Sequence, residues 1–203
     1  MAQIGLLGGA FDPPHNGHLA VARAVLAARG LDRVDLLVSG QSPHRGGKIT
    51  VAPAADRAAM AHLAAQDEIG IGVEECELAR SGPSYTIDTI RWLRRERPQN
   101  RYCVIVGADM ALDLPNWREA GELLDLVEIV PVLRPGFDTS LFERLVPALG
   151  KAHVARLRAA HVDVPQLAVS STAVRNAVAA GESIEAMVPA AVARYIYARR
   201  LYR

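Results

Sequence analysis

Short apolar runs rich in Val, Ile and Leu recur at residues 3–8, 34–39, 71–76, 102–107, 127–133 and 166–169, each of a length that suits a buried strand. Segments 19–28, 57–65 and 86–95 lie between them, and there apolar positions return every three to four residues, as on one face of a helix. Strand alternating with helix implies right-handed crossovers and a mainly parallel, doubly wound α/β sheet with helices on both faces. In such sheets ligands settle at the carboxyl ends of the strands, where strand order reverses, so the loops after strands are where chemistry is expected.

Residues 170–203 read as a helical part. Its closing stretch, AVARYIYARRLYR, has an apolar face of Val192, Tyr195 and Ile196, and arginines that complement the helix dipole. The stretch 40–53, rich in Gly, Ser and Pro, predicts a long mobile loop after the second strand that orders when substrate binds. The chain has no internal repeat and no low-complexity tract. With 203 residues, half of them hydrophobic, it suffices for a single domain over 1–203.

Composition removes several function classes. A net charge of +1 provides no broad basic field for nucleic acid, although a local phosphate site stays open. Arg91, Arg94, Arg95, Arg97 and Arg101 form a cationic run that reads as a solvated helix face, since it lacks interleaved stacking aromatics. Cys76 and Cys103 form neither a CxxC pair nor a four-ligand zinc set, and read as inert core thiols. No signal peptide or 18-residue apolar run stands out, so the expected location is cytoplasmic, without a membrane partner. A homo-oligomer stays open.

Four segments carry chemistry. In QIGLLGGAFDPPHNGH, residues 3–18, a strand passes through a glycine-rich bend into a helix, where backbone N–H groups meet an anion. His15 and His18, three residues apart, can share one side of the first helical turn; they can equally be surface or capping histidines. The segment is neither a P-loop nor GxGxxG. In AVSSTAVRNAVAAG, residues 168–181, Ser170 or Ser171 can cap a helix. Arg175 would lie near the positive end of that helix, an arrangement an anion would repair. After the fourth run, Gly107 and Asp109 stand where a carboxylate can accept ribose hydroxyls, Asp109 being also a candidate helix cap, and Trp117 can stack on a flat ring or pack on the core. In SGPSYTIDTI, residues 81–90, Thr86 can cap a helix whose N–H groups could receive a carboxylate.

Taken together, these segments resemble the nucleotidyltransferase superfamily. Its hallmarks GxFxPxHxGH and SSTxxR are matched by Gly9, Phe11, Pro13, His15, Gly17 and His18, and by Ser170, Ser171, Thr172 and Arg175. Within it the chain resembles the bacterial nicotinate-nucleotide adenylyltransferase family, through PSYT at 83–86, GAD at 107–109, LPNW at 114–117, RPG at 134–136 and LYR at 201–203. The resemblance implies a Rossmann-like fold and adenylyl transfer from ATP, with Mg²⁺, to nicotinate mononucleotide, in NAD biosynthesis. It implies catalytic roles for His15, His18 and Arg175, and an ATP site of Gly8, Gly9, Ala10, Phe11, His15, His18, Gly107, Asp109, Ser170, Ser171, Thr172 and Arg175. The mononucleotide would meet His44, Arg45, Ser84, Tyr85, Thr86, Trp117 and Arg134, and which residues contact the metal stays open. The family often has PPHK where this chain has SPHR at 42–45, so a cation persists there in altered form.

Overall fold

The computed structural model describes residues 1–41, 50–164 and 168–203. Its strands are β1 (Gln3–Gly9), β2 (Arg33–Val38), β3 (Ile71–Glu74), β4 (Arg101–Gly107), β5 (Glu128–Leu133) and β6 (Val162–Asp163). They pair in the order β3-β2-β1-β4-β5-β6, every pair parallel. Strand order reverses between β1 and β4, which places the expected ligand crevice at their carboxyl ends.

The helices are α1 (Asn16–Arg29), α2 (Ala54–Ala65), α3 (Thr86–Glu96), α4 (Ala108–Leu112), α5 (Ala120–Leu126), α6 (Val146–Leu149), α7 (Lys151–Ala160), α8 (Ser171–Ala179) and α9 (Ala190–Arg199). Side chains alternate across the central strands and divide the interior into two cores. Leu7, Val34, Leu36, Cys103 and Ile105 pack with α1, α2, α8 and α9. Ile4, Leu6, Leu37, Val104 and Val106 pack with α3, α5 and α7 on the other face. Helix α1 stops at Gly30, whose φ of 58° is the left-handed cap that glycine adopts without a Cβ penalty.

Three expectations change. The sixth strand among the described residues is Val162–Asp163: α7 delivers the chain beside β5, where Val162 pairs with Val132 and the Val164 N–H donates to Leu133 O at 2.9 Å. Residues 168 and 169 are not strand, and 165–167 lie outside the described residues. β3 ends at Glu74, whose carboxylate accepts the Cys76 N–H at 2.9 Å and turns the chain, so Cys76 sits half-buried after the strand. The cationic run is a paired face rather than a merely solvated one. Arg91 bridges Glu119 and Glu122, Arg94 donates to Leu126 O at 3.1 Å, and Arg97 meets Glu74 at 2.5 Å.

Candidate active site

Gly8 and Gly107 lie at the carboxyl ends of β1 and β4, and a Cβ on either would meet nothing within 4 Å. Packing does not demand glycine at either place; bare backbone instead lets a ligand approach closely. Beyond Gly9 and Ala10 the chain turns through buried Phe11, whose φ of 49° is left-handed, and reaches His15 at the N-cap of α1.

The His15 N–H donates to His18 Nδ1 at 3.1 Å, the returning half of a capping box built from two histidines. Their rings stack with centroids 3.7 Å apart and 23° between planes, while Phe11 meets His18 edge-on at 5.0 Å. The capping alternative is thus observed, and the same geometry sets the two imidazoles side by side. Because Nδ1 of His18 accepts, its proton is assigned to Nε2, which makes that nitrogen a donor. Gly17 is fixed by close approach: a Cβ there would lie 3.0 Å from the His15 ring and 3.1 Å from Val169 Cγ1.

Helix α8 reaches the same turn. Ser170 caps it by accepting the Ala173 N–H at 3.1 Å, and Ser171 donates its hydroxyl to Pro13 O at 2.9 Å. Arg175 Nη1 donates to Asp12 O at 2.7 Å, and Nη2 to Thr172 Oγ1 at 3.3 Å. The two hallmark segments are thus joined by direct hydrogen bonds, and the cation held near the start of α8 belongs to the turn that carries the histidines.

Sequence reasoning missed the groups behind this turn. Asp12 is 3% exposed, and its carboxylate accepts the Val51 N–H at 2.6 Å, the Ala52 N–H at 3.1 Å and the Tyr202 hydroxyl at 2.7 Å. Arg57, 1% exposed, donates through Nη1 to Ala10 O at 2.7 Å and Ser39 O at 2.9 Å. Burial lowers the Arg57 pKa, and the neighbouring Asp12 charge opposes that shift. An Asp in a Phe-Asp-Pro turn and an Arg on an alanine-rich helix carry no periodic signal; only the convergence of distant segments reveals them.

The candidate acceptor residues cluster at the same end of the sheet. Tyr85, not Thr86, is the N-cap of α3, and no side chain caps that helix. Arg118 lies over the Tyr85 ring, 4.8 Å from its centroid. Ser84 is buried, and its N–H donates to Gln41 O at 2.8 Å, fastening the turn to the end of β2. Trp117 follows the 3-10 helix Leu114–Asn116 and packs partly against the second core. Gly107 takes the N-cap of α4, which leaves Asp109 exposed in its first turn rather than capping. Arg134 is exposed directly after β5, and His44 and Arg45 lie outside the described residues.

Behind Ser84, Glu77 is 4% exposed and accepts the Thr89 hydroxyl at 2.7 Å. Burial raises its pKa, countered by the Thr89 bond and the Arg80 charge. A cavity of about 560 Å³ lies at the opposite end of the sheet. There Arg94 and Arg156 donate to the last carbonyls of α5, which gives these arginines a capping role. Among the described residues no helix is long and apolar enough to cross a membrane.

The family described as Cytidylyltransferase-like matches residues 6–177. A probable nicotinate-nucleotide adenylyltransferase from Symbiobacterium thermophilum is 43% identical over 202 residues, covering 100% of this chain and 96% of the relative. One from Roseiflexus sp. is 43% identical, covering 100% and 98%. Among solved structures, Plasmodium falciparum nicotinic acid mononucleotide adenylyltransferase complexed with NaAD matches with a TM-score of 0.75 at 17% identity, covering 100% of this chain and 98% of that one, which supports the fold. The chain therefore belongs to the Cytidylyltransferase-like family and, over its whole length, to the nicotinate-nucleotide adenylyltransferases within it.

Proposed function

We propose that this chain, as one catalytic unit in the cytoplasm, transfers the adenylyl group of ATP to nicotinate mononucleotide, giving deamido-NAD and pyrophosphate in NAD biosynthesis. The observation that carries this function is the joining of the two hallmark segments, Arg175 to Asp12 O and Ser171 to Pro13 O, beside the stacked His15 and His18.

In the reaction the 5′-phosphate of the mononucleotide attacks the α-phosphorus of ATP. A new P–O bond forms as the bond to the bridging oxygen breaks, and pyrophosphate leaves with that electron pair. The attacking phosphate is already ionised, so no general base and no covalent enzyme intermediate are needed; positioning and charge neutralisation carry the catalysis. His18 donates its Nε2–H toward the α-phosphate, with His15 beside it, and Arg175 with the N-terminus of α8 at Ser171 and Thr172 receives the departing pyrophosphate. Gly8, Gly9 and Ala10 line the path of the nucleotide, with Phe11 buried behind them against the His18 ring; Gly107 gives it room, and Asp109 accepts the ribose hydroxyls.

The uncapped N-terminus of α3 at Tyr85 and Thr86, set by buried Ser84, receives the nicotinate carboxylate while Trp117 covers the ring; Arg134, and His44 with Arg45, meet the rest of the mononucleotide. Among the described residues no group of three or more His, Cys, Asp or Glu forms a metal cage. The Asp12 carboxylate is moreover committed to three donors. Mg²⁺ would come with ATP and screen the charge of the triphosphate.

The test is pyrophosphate release measured with the acid and the amide mononucleotide. A carboxylate held by charge-assisted hydrogen bonds is worth roughly 1.5–3 kcal/mol, so kcat/KM should favour the acid by about ten- to a hundredfold. Preference for the amide would overturn the acceptor assignment, and no pyrophosphate from either would overturn the reaction.

A further inference from the structure

The catalytic turn is gripped from behind by a segment that no step of the reaction uses. After α9 the chain runs through Arg200, with φ 54°, into Leu201 and Tyr202, with φ 65°. The left-handed Arg200 closes α9: its N–H donates to Tyr197 O at 3.2 Å, and the Leu201 N–H reaches Ile196 O at 3.1 Å. Tyr202 has no such helical duty. A left-handed conformation is unfavourable for an aromatic residue, and it persists where surrounding contacts over-determine it.

Those contacts lead to the site. The Tyr202 hydroxyl donates to Asp12 Oδ1 at 2.7 Å, and the Asp12 carbonyl is the oxygen that holds Arg175 at 2.7 Å. Burial, reinforced by the bond to Asp12, raises the Tyr202 pKa far above any working pH, so the hydroxyl is a permanent donor. Asp12 completes its shell with the N–H groups of Val51 and Ala52, which enter from the far side of the β2–α2 connection. One buried carboxylate thus joins the catalytic turn to two distant segments, and its own carbonyl joins it to a third.

We infer that Tyr202 is a positioning residue for adenylyl transfer: its hydroxyl fixes Asp12, and through Asp12 it sets the carbonyl that aims Arg175. This rests on the function proposed above. A purely structural tether would affect only how much protein is folded. A positioning residue alters the chemistry of the folded protein, and does so through Arg175.

Tyr202→Phe keeps the ring and removes only the hydroxyl. Measured on folded protein, its kcat should fall about five- to twentyfold, with KM for the mononucleotide within twofold of wild type and pyrophosphate a weaker product inhibitor. In an Arg175→Met background the same change should cost less than twofold, because residues acting through one contact are non-additive. Asp12→Asn, which alters the acceptor end of the bond, should give the same split and decides the question if Tyr202→Phe does not fold. Unchanged kcat in folded Tyr202→Phe, or a full additive loss in the Arg175→Met background, would overturn the inference. Wild-type protein that releases no pyrophosphate would instead overturn the reaction itself.

Discussion

His18 illustrates how a single residue is tuned by its neighbours. With Nδ1 accepting the His15 N–H and the ring held between His15 and Phe11, the direction of its Nε2–H is set by the fold. A preorganised donor aimed at developing charge acts mainly in the transition state. His18→Ala is expected to lower kcat by about two to four powers of ten, on the order of 3–5 kcal/mol, with a much smaller change in KM. His18→Gln, whose amide nitrogen can take the place of Nε2, should retain more activity than alanine. Single-turnover rates on folded variants check both, and near-wild-type turnover of His18→Ala would remove the residue from the chemistry. At this scale the sequence disclosed the two histidines, Arg175 and the cap Ser170, because motif spacing and cap chemistry are local. Asp12, Arg57 and Tyr202 stayed hidden because each acts on a segment dozens of residues away.

Elements show the same division. α1, α2 and α3 were legible in their 3.6-residue pattern, and the first, second, fourth and fifth strands in their apolar runs. The cap of α3 was not: Thr86 is the better capping residue chemically, yet the bond from Ser84 N–H to Gln41 O fixes the entry of the chain and moves the cap to Tyr85. Burial of β4 on both faces also sets the chemistry of Cys103. It pushes that thiol up to about 12, and burial in the turn after β3 takes Cys76 to about 12 as well. The thiolate is the reactive form, so at pH 8.5 alkylation of both cysteines should be slower by about three powers of ten in native protein than in denaturant. The same shifts mean that the folded state holds these protons more tightly than the unfolded chain. Their contribution to stability is therefore present below the ordinary thiol range and is lost as pH rises from there toward 12. Rapid modification of either cysteine in native protein would contradict the inert-thiol assignment.

Across the whole molecule, the β1–α1 turn that carries His15 and His18 is joined to Val51 and Ala52 ahead of α2, to α8 and to the segment after α9. A ligand bound there stabilises parts drawn from most of the chain. A non-hydrolysable ATP analogue at a hundred times its Kd should add about 2.7 kcal/mol to the stability of the fold. For a chain of this size that is a rise in Tm of roughly 5–10 °C. Arg175→Ala should lose most of the rise at the same analogue concentration. An equal rise in both proteins would place Arg175 outside the phosphate site.

The sequence by itself determined the alternation of strand and helix, the parallel sheet and the two hallmark segments, because periodicity, caps and glycine-rich turns are properties of neighbours along the chain. Tertiary structure alone decided the strand order with its reversal between β1 and β4, the edge position of Val162–Asp163, and the meeting of Tyr202, Val51, Ala52 and Arg175 on Asp12. The physical reason is that a buried carboxylate must find donors wherever the fold brings them, and no local pattern records which distant segment will supply them.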